Sequence, residues 1–315
     1  MDWLTIPRAD NFDICPDCYE AVFVNTAFKH AFVPAPLRGM DKPVSCDFGS
    51  SPWYRMAWLM TLKYRIQDAR LLQGVAASSV KGQQCAGSRP AKRIWYSIQD
   101  PYARRPIPNF TVCHNCAKAV EVILPNLTGV FVPIDNPPVP TQGVCAMHFA
   151  PGRRRFVGVF DLMERTSDEA LARKSPPNIQ DLADRVRELL VYPECLQDEP
   201  VQDRKWFVMR SIPDFTVCQE CFDQVVWPQQ ELDDVPRVVQ DFSDRTQKLP
   251  MAACQLYSDR MRDVFKKACR RNDLGYFEKK IFERLDIESA IKTKLGQEPT
   301  PAETRELLKK WKEWE

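Results

Sequence analysis

The clearest hydrophobic periodicity lies near the end of the chain. Leu307, Leu308, Trp311 and Trp314 recur at helical spacing behind Thr300-Pro301-Ala302-Glu303, a capping box with proline at the first helical position. Such a stripe either packs on the preceding helix or docks a partner. Runs rich in Arg, Leu, Phe and Met predict further helices over about 52–74, 154–174, 178–191 and 258–292. Three short apolar runs also stand out: Ala21-Val22-Phe23, Ala119-Val120-Glu121-Val122 and Val225-Val226-Trp227. Phe110-Thr111-Val112 and Phe215-Thr216-Val217 have the β-branched and aromatic character of short strands. Ser175-Pro176-Pro177 marks an exposed joint.

Each short apolar run follows a CxxC pair. The pairs are Cys15/Cys18, Cys113/Cys116 and Cys218/Cys221, at periods of 98 and 105 residues. Their flanks match. Ile107-Pro108-Asn109-Phe110-Thr111-Val112 precedes the second pair, and Ile212-Pro213-Asp214-Phe215-Thr216-Val217 precedes the third. The first pair keeps an aromatic, Phe12, three positions before Cys15. A third cysteine follows each pair, at Cys46, Cys145 and Cys254, and opens a segment that runs into basic helical sequence. A leading cysteine and an aromatic pair come before: Cys85 with Trp95-Tyr96, and Cys195 with Trp206-Phe207. Self-similarity at this period predicts three tandem copies of one α+β unit. The expected boundaries are 1–80, 81–178 and 179–292, with a C-terminal amphipathic helix over 293–315. Each unit should place short strands around a CxxC knuckle, followed by helices.

Trp3 stands twelve residues before Cys15, as Trp206 does before Cys218. The first unit therefore begins just after the place of its leading cysteine, which predicts either truncation or loss of that ligand.

The cysteine spacing points to zinc. Zn(II) accepts four thiolates in a tetrahedron, and a CxxC turn sets two sulfurs on one side of it. The expected sites are Cys85, Cys113, Cys116 and Cys145, and Cys195, Cys218, Cys221 and Cys254. Cys15, Cys18 and Cys46 need a fourth donor, for which Cys269 and His30 are candidates, giving two or three Zn(II) per chain. Cys269 also reads as a small buried apolar residue in a helical run, and His30 as a surface residue. A redox dithiol would sit in a thioredoxin-like context without matched third and fourth cysteines.

Composition narrows the function. The chain is 44% hydrophobic and 27% charged, with 44 basic against 42 acidic residues, a globular balance with no global pull towards polyanions. Its 26 prolines against 11 glycines suggest stiffened connections between compact pieces. The start lacks the apolar core of a secretory signal, and the longest apolar stretch is far shorter than a membrane span. The expectation is an intracellular protein of nucleus or cytoplasm, without a membrane partner, in which twelve cysteines form no disulfide framework. Nucleotide-binding, serine-hydrolase and zincin motifs are absent. His114 sits inside a CxxC and His148 lies three residues after Cys145, so an enzyme site beside them is the weakest of the alternatives. The leading expectation is a non-enzymatic, zinc-finger-like scaffold or adaptor with a protein partner. The alternative is a nucleic-acid-binding zinc protein whose contacts are Arg93, Arg153, Arg154, Arg155, Arg260, Arg270 and Arg271, with aromatic neighbours.

Overall fold

The computed structural model describes residues 3–36, 44–80, 84–150, 153–297 and 299–314. It is mixed helix and strand, 49% helical and 14% strand, so helices supply most of the packing surface. The chain divides into two compact units, Met1–Val191 and Tyr192–Glu315.

In the first unit, β1 (Leu4–Thr5) pairs antiparallel with β2 (Val33–Pro34), and Leu4 also faces Ile14. Between them α1 (Pro16–Val22) starts at Cys15 with proline at its first position, where a missing N–H costs nothing. Then follow α2 (Asp47–Ser50), α3 (Pro52–Lys63) and α4 (Arg70–Val80). The single helix expected over 52–74 is broken. Arg65 takes a left-handed φ of 51°, and the Asp68 carboxylate accepts from the Arg70 N–H to open the next helix.

The rest of this unit surrounds β4 (Trp95–Asp100), which pairs antiparallel with β5 (Arg105–Pro106), β6 (Val112–Cys113) and β7 (Phe131–Pro133). β3 (Ala91–Arg93) pairs with β8 (Thr141–Gly143). The helices are α5 (His114–Ile123), α6 (Arg154–Arg173) and α7 (Ile179–Leu189). α6 ends where Lys174 turns left-handed, and the Asn178 side chain caps α7.

One hydrophobic core runs through the unit from Ile6 to Val186. Trp53 of α3 lies 5.7 Å from Phe156 of α6. Lys63 bonds Asp168 at 2.5 Å and also reaches Glu164, while the Tyr64 hydroxyl donates to Asp168 at 2.7 Å. α4 and α5 approach so closely that a Cβ on Gly74 would stand 2.6 Å from Val122 Cγ1. Segments 1–80 and 81–178 therefore share a core, and α7 joins them through the Arg187–Asp100 ion pair with β4.

In the second unit, β9 (Val201–Val208) lies between β10 (Thr216–Val217) and β11 (Gln247–Ala252), both antiparallel to it. α8 (Gln219–Cys221) continues through one wider turn over Phe222–Val226 into α9 (Trp227–Gln230), and α10 (Arg237–Gln240) follows. The helical run expected over 258–292 is two helices, α11 (Asp259–Arg271) and α12 (Leu274–Leu295). Asn272 ends the first in a left-handed turn, and Asp273 caps the second. Trp206, Phe215, Phe265 and Phe277 are the largest fully buried side chains of this core. α13 (Pro301–Lys312) carries the full Thr300/Glu303 capping box. Its aromatic stripe lies on arginines: Trp311 is 5.0 Å from Arg284 of α12, and Trp314 is 4.1 Å from Arg260 of α11.

No helix among the described residues is long and apolar enough to cross a membrane.

Candidate metal centres

Three groups of cysteine sulfurs converge: Cys85, Cys113, Cys116 and Cys145; Cys195, Cys218, Cys221 and Cys254; and Cys15, Cys18 and Cys46. Within each group all sulfurs lie within 4.8 Å of one another. A tetrahedron with metal–sulfur bonds of about 2.3 Å has edges of about 3.8 Å, so these groups could hold metal ions. None of the twelve cysteines forms a disulfide. The two groups of four are buried except for their half-buried leading cysteines, whereas all three sulfurs of the smaller group are half-buried.

The local fold explains the convergence. The first cysteine of each CxxC is the N-cap of a helix, beside the positive end of the helix dipole, and the Cys15 and Cys218 thiols accept from the first turn. Cys18 N–H donates to Cys15 Sγ, and Cys221 N–H to Cys218 Sγ, both at 3.4 Å. The third cysteine is fixed by the strand before the pair. Cys15 N–H donates to Cys46 Sγ and Cys113 N–H to Cys145 Sγ, again at 3.4 Å. One backbone bond recurs in all three places. The residue after the third cysteine donates to the residue two before the pair: Asp47 to Asp13 at 2.8 Å, Ala146 to Thr111 at 2.6 Å, and Gln255 to Thr216 at 2.8 Å. Strand register recurs too, with Leu4 opposite Ile14, Tyr96 opposite Val112 and Phe207 opposite Val217.

Packing sulfurs this closely splits their acidities. The Cys18 N–H holds the Cys15 thiol below its ordinary range, while burial first, then the neighbouring thiols, pushes Cys18 up to about 12. Hydrogen bonds from neighbouring thiols lower Cys221, with a contribution from Arg262, whereas burial raises Cys254 far above it. A cation in the midst of the sulfurs would favour thiolate throughout.

Basic side chains brace the larger groups. Arg93 and Arg204 each stand two residues before a buried tryptophan and over its ring, at 5.9 Å from Trp95 and 5.8 Å from Trp206. Each donates to the carbonyl before a leading cysteine, Gln84 at 3.0 Å and Glu194 at 3.4 Å. Arg153 donates to the carbonyls of Ala146 and His148, at 2.7 and 2.6 Å. Arg262, nine-tenths buried, donates to Cys221 Sγ at 3.2 Å, to Gln224 Oε1 at 3.1 Å and to the Leu256 carbonyl at 3.1 Å. Counting eight residues on from Cys145 and Cys254 finds Arg153 and Arg262, a spacing visible in the sequence.

This placement redirects several expectations. Arg93 and Arg153 turn inward to backbone carbonyls, and Arg260 lies against Trp314 of α13. Arg154 and Arg155 open α6, and neither is without a partner. Arg270 and Arg271 are exposed on the last turn of α11, with Arg271 5.5 Å from the Tyr276 ring. Neither candidate fourth donor joins Cys15, Cys18 and Cys46 among the described residues. His30 is exposed on the short turn Ala27–Ala31. Cys269 faces the core of the second unit, where burial pushes its thiol up to about 12. His114 lies 5.5 Å from the Tyr96 ring. His148 is buried, and its Nδ1 meets the Cys145 carbonyl at 2.7 Å. Since a carbonyl only accepts, Nδ1 carries the proton.

No family model, curated protein or solved structure matches this chain.

Proposed function

We propose that the chain is a zinc protein built from three copies of one cysteine unit and serves as a non-enzymatic scaffold for a protein partner. The observation that carries the metal reading is the pair of buried four-sulfur groups. Soft thiolates in a tetrahedral set select zinc or iron–sulfur chemistry, and closed four-thiolate sites are the structural form of zinc. The recurring backbone bond and strand register support a common unit. Closed sites leave no coordination position for a water nucleophile, which favours scaffolding over catalysis.

Elemental analysis of the purified chain should find two or three zinc ions and no stoichiometric iron. Cobalt substitution should give the absorption of tetrahedral thiolate sites. A chain with no metal would overturn the reading. For the scaffold, partners captured by the loaded protein should be lost after chelation, and an unchanged set would count against it.

One observation favours nucleic acid as a second reading. Lys267 and Arg271 flank the Tyr276 ring at 5.6 and 5.5 Å, beside exposed Lys266 and Arg270. A basic, aromatic face of this kind grips phosphates and stacks bases. It predicts binding that weakens steeply with salt and fails in Arg270→Ala/Arg271→Ala; no binding at low salt removes it.

A further inference from the structure

The group of three sulfurs differs from the two groups of four at matched positions. Three residues on from the third cysteine stand His148, which is buried, and Tyr257, which is half-buried. The same count from Cys46 finds Gly49, which is exposed. A Cβ on Gly49 would lie 3.5 Å from Cys46 Sγ and 3.8 Å from Cys18 Sγ. A side chain at this place would cover the sulfurs, and glycine leaves them uncovered. All three sulfurs are half-buried, and no fourth ligand atom joins them among the described residues.

Charge separates the groups as well. Four thiolates around a divalent ion leave a surplus of two negative charges. In the Cys195 group Arg262, eight residues on from Cys254, donates to one of these sulfurs at 3.2 Å. Eight residues on from Cys46 stands the uncharged Tyr54. Arg55, next to it, donates to the Gly49 carbonyl at 2.8 Å and lies 5.3 Å from the Phe149 ring. Three thiolates leave a surplus of one, and a neutral fourth donor keeps it there.

A carboxylate then selects the donor. Glu220 lies two residues after Cys218, and it accepts from the backbone N–H of Cys195, the fourth ligand of its group, at 2.6 Å. Asp17 holds the matching place after Cys15, and Asn115 holds it after Cys113. Asp17 is exposed in the first turn of α1 and makes no hydrogen bond or ion pair among the described residues. It is placed to accept an N–H from whatever completes the group.

We infer that Cys15, Cys18 and Cys46 hold zinc with the fourth coordination position open, and that this position takes a neutral imidazole whose second nitrogen donates to Asp17. Imidazole is an ordinary zinc ligand, and its other N–H commonly meets a carboxylate. A thiolate would add charge and bring no donor. The imidazole comes from another molecule, because His30, His114 and His148 all lie elsewhere. The inference rests on the metal reading above.

The test uses the full chain loaded with cobalt(II) and read by elemental analysis and visible absorption. Three ions should bind, and millimolar imidazole should shift the tetrahedral bands of one of them. Cys46→Ser should retain two ions and lose the response. Asp17→Ala should retain three ions and bind imidazole about tenfold more weakly. 1-Methylimidazole, which has no N–H to donate, should bind wild type and Asp17→Ala alike. A dilution-dependent band shift without added imidazole, lost in His30→Ala, assigns the donor to a second copy of this chain; a response only to added imidazole assigns it to a different molecule. Two ions in wild type overturn the inference. So do three ions with no response to imidazole, or a response to 2-mercaptoethanol and none to imidazole. In each of these cases the four-sulfur groups keep their ions, whereas failure of the zinc reading empties every site.

Discussion

Arg262 offers the sharpest test of how the second unit holds a metal. Its guanidinium makes three bonds in a buried place, to Cys221 Sγ, Gln224 Oε1 and the Leu256 carbonyl. Arg262→Met keeps most of the side-chain volume and removes all three. All three bonds come from a charged donor; the one to a thiolate contributes about 1.5–3 kcal/mol, and the two to uncharged acceptors about 1.5 kcal/mol each. The metal-bound second unit should therefore lose roughly 4–6 kcal/mol. Only the first bond touches a ligand, so metal affinity should fall less, by about 10–100-fold, the usual effect of removing a bond that orients a ligand. Arg262→Lys should lie between, because an ammonium is a point donor and cannot span three acceptors in a plane. The assay is stepwise metal transfer from the loaded chain to a chromophoric chelator. One ion should leave at about 10–100-fold lower chelator concentration while the others hold their wild-type positions. Arg153→Met is the matched control, because its guanidinium reaches the Ala146 and His148 carbonyls. It should destabilise the first unit by about 1–3 kcal/mol and leave the release order intact. Wild-type release of every ion from Arg262→Met would refute the reasoning.

Gly74→Ala should destabilise the first unit, although alanine gains up to about 1 kcal/mol in a helix interior. The new Cβ would stand 2.6 Å from Val122 Cγ1, a stiff branched side chain, and overpacking costs about 1–3 kcal/mol. Denaturant melts should show Gly74→Ala turning stabilising in a Val122→Ala background, and stabilisation in the wild-type background would refute the close approach. Cys269 should resist iodoacetamide in the folded chain, since burial keeps it a thiol up to about pH 12. An acid whose folded value is raised loses stability once the unfolded thiol ionises, so folding should weaken from about pH 9 upward, and Cys269→Ala should remove that part of the slope. Cys254→Ser should release one ion and unfold the second unit, because a structural site supplies on the order of 10 kcal/mol; retention of every ion would place the metal elsewhere.

What was legible in the sequence was whatever the metal geometry repeats at fixed spacing. The cysteines, the tryptophan ahead of each pair and the buried aromatic three residues before it stand out because their partners lie within one segment. Cys269 and His30 could not be placed this way. A lone side chain has no spacing to register against, and its fate depended on which helix face met the core. The breaks at Arg65 and Asn272 were hidden because both residues adopt left-handed backbone without glycine to announce it. The shared core of segments 1–80 and 81–178 was hidden for a different reason. It rests on contacts such as Trp53 with Phe156 and Gly74 with Val122, and no local period records a meeting of distant helices.

The clamp beside each third cysteine shows why ligands are easier to read than their supports. In the later two segments a threonine two residues before the pair donates its hydroxyl to the carbonyl before the third cysteine. Thr111 reaches Val144 at 2.7 Å, and Thr216 reaches Ala253 at 2.6 Å. In the first segment that position is Asp13, whose backbone N–H instead donates to the Asp47 carboxylate at 2.8 Å. Both arrangements pin the strand to the chain that delivers the third sulfur, once from a hydroxyl and once from a carboxylate on the opposite side. Tetrahedral thiolate coordination accepts no substitute for cysteine at a ligand position without changing the site. A hydrogen bond accepts any donor and acceptor that reach each other. The three sulfur positions common to all the segments therefore keep their residue type along the chain, while the clamp keeps only its geometry, and that geometry becomes visible only when the chain is folded.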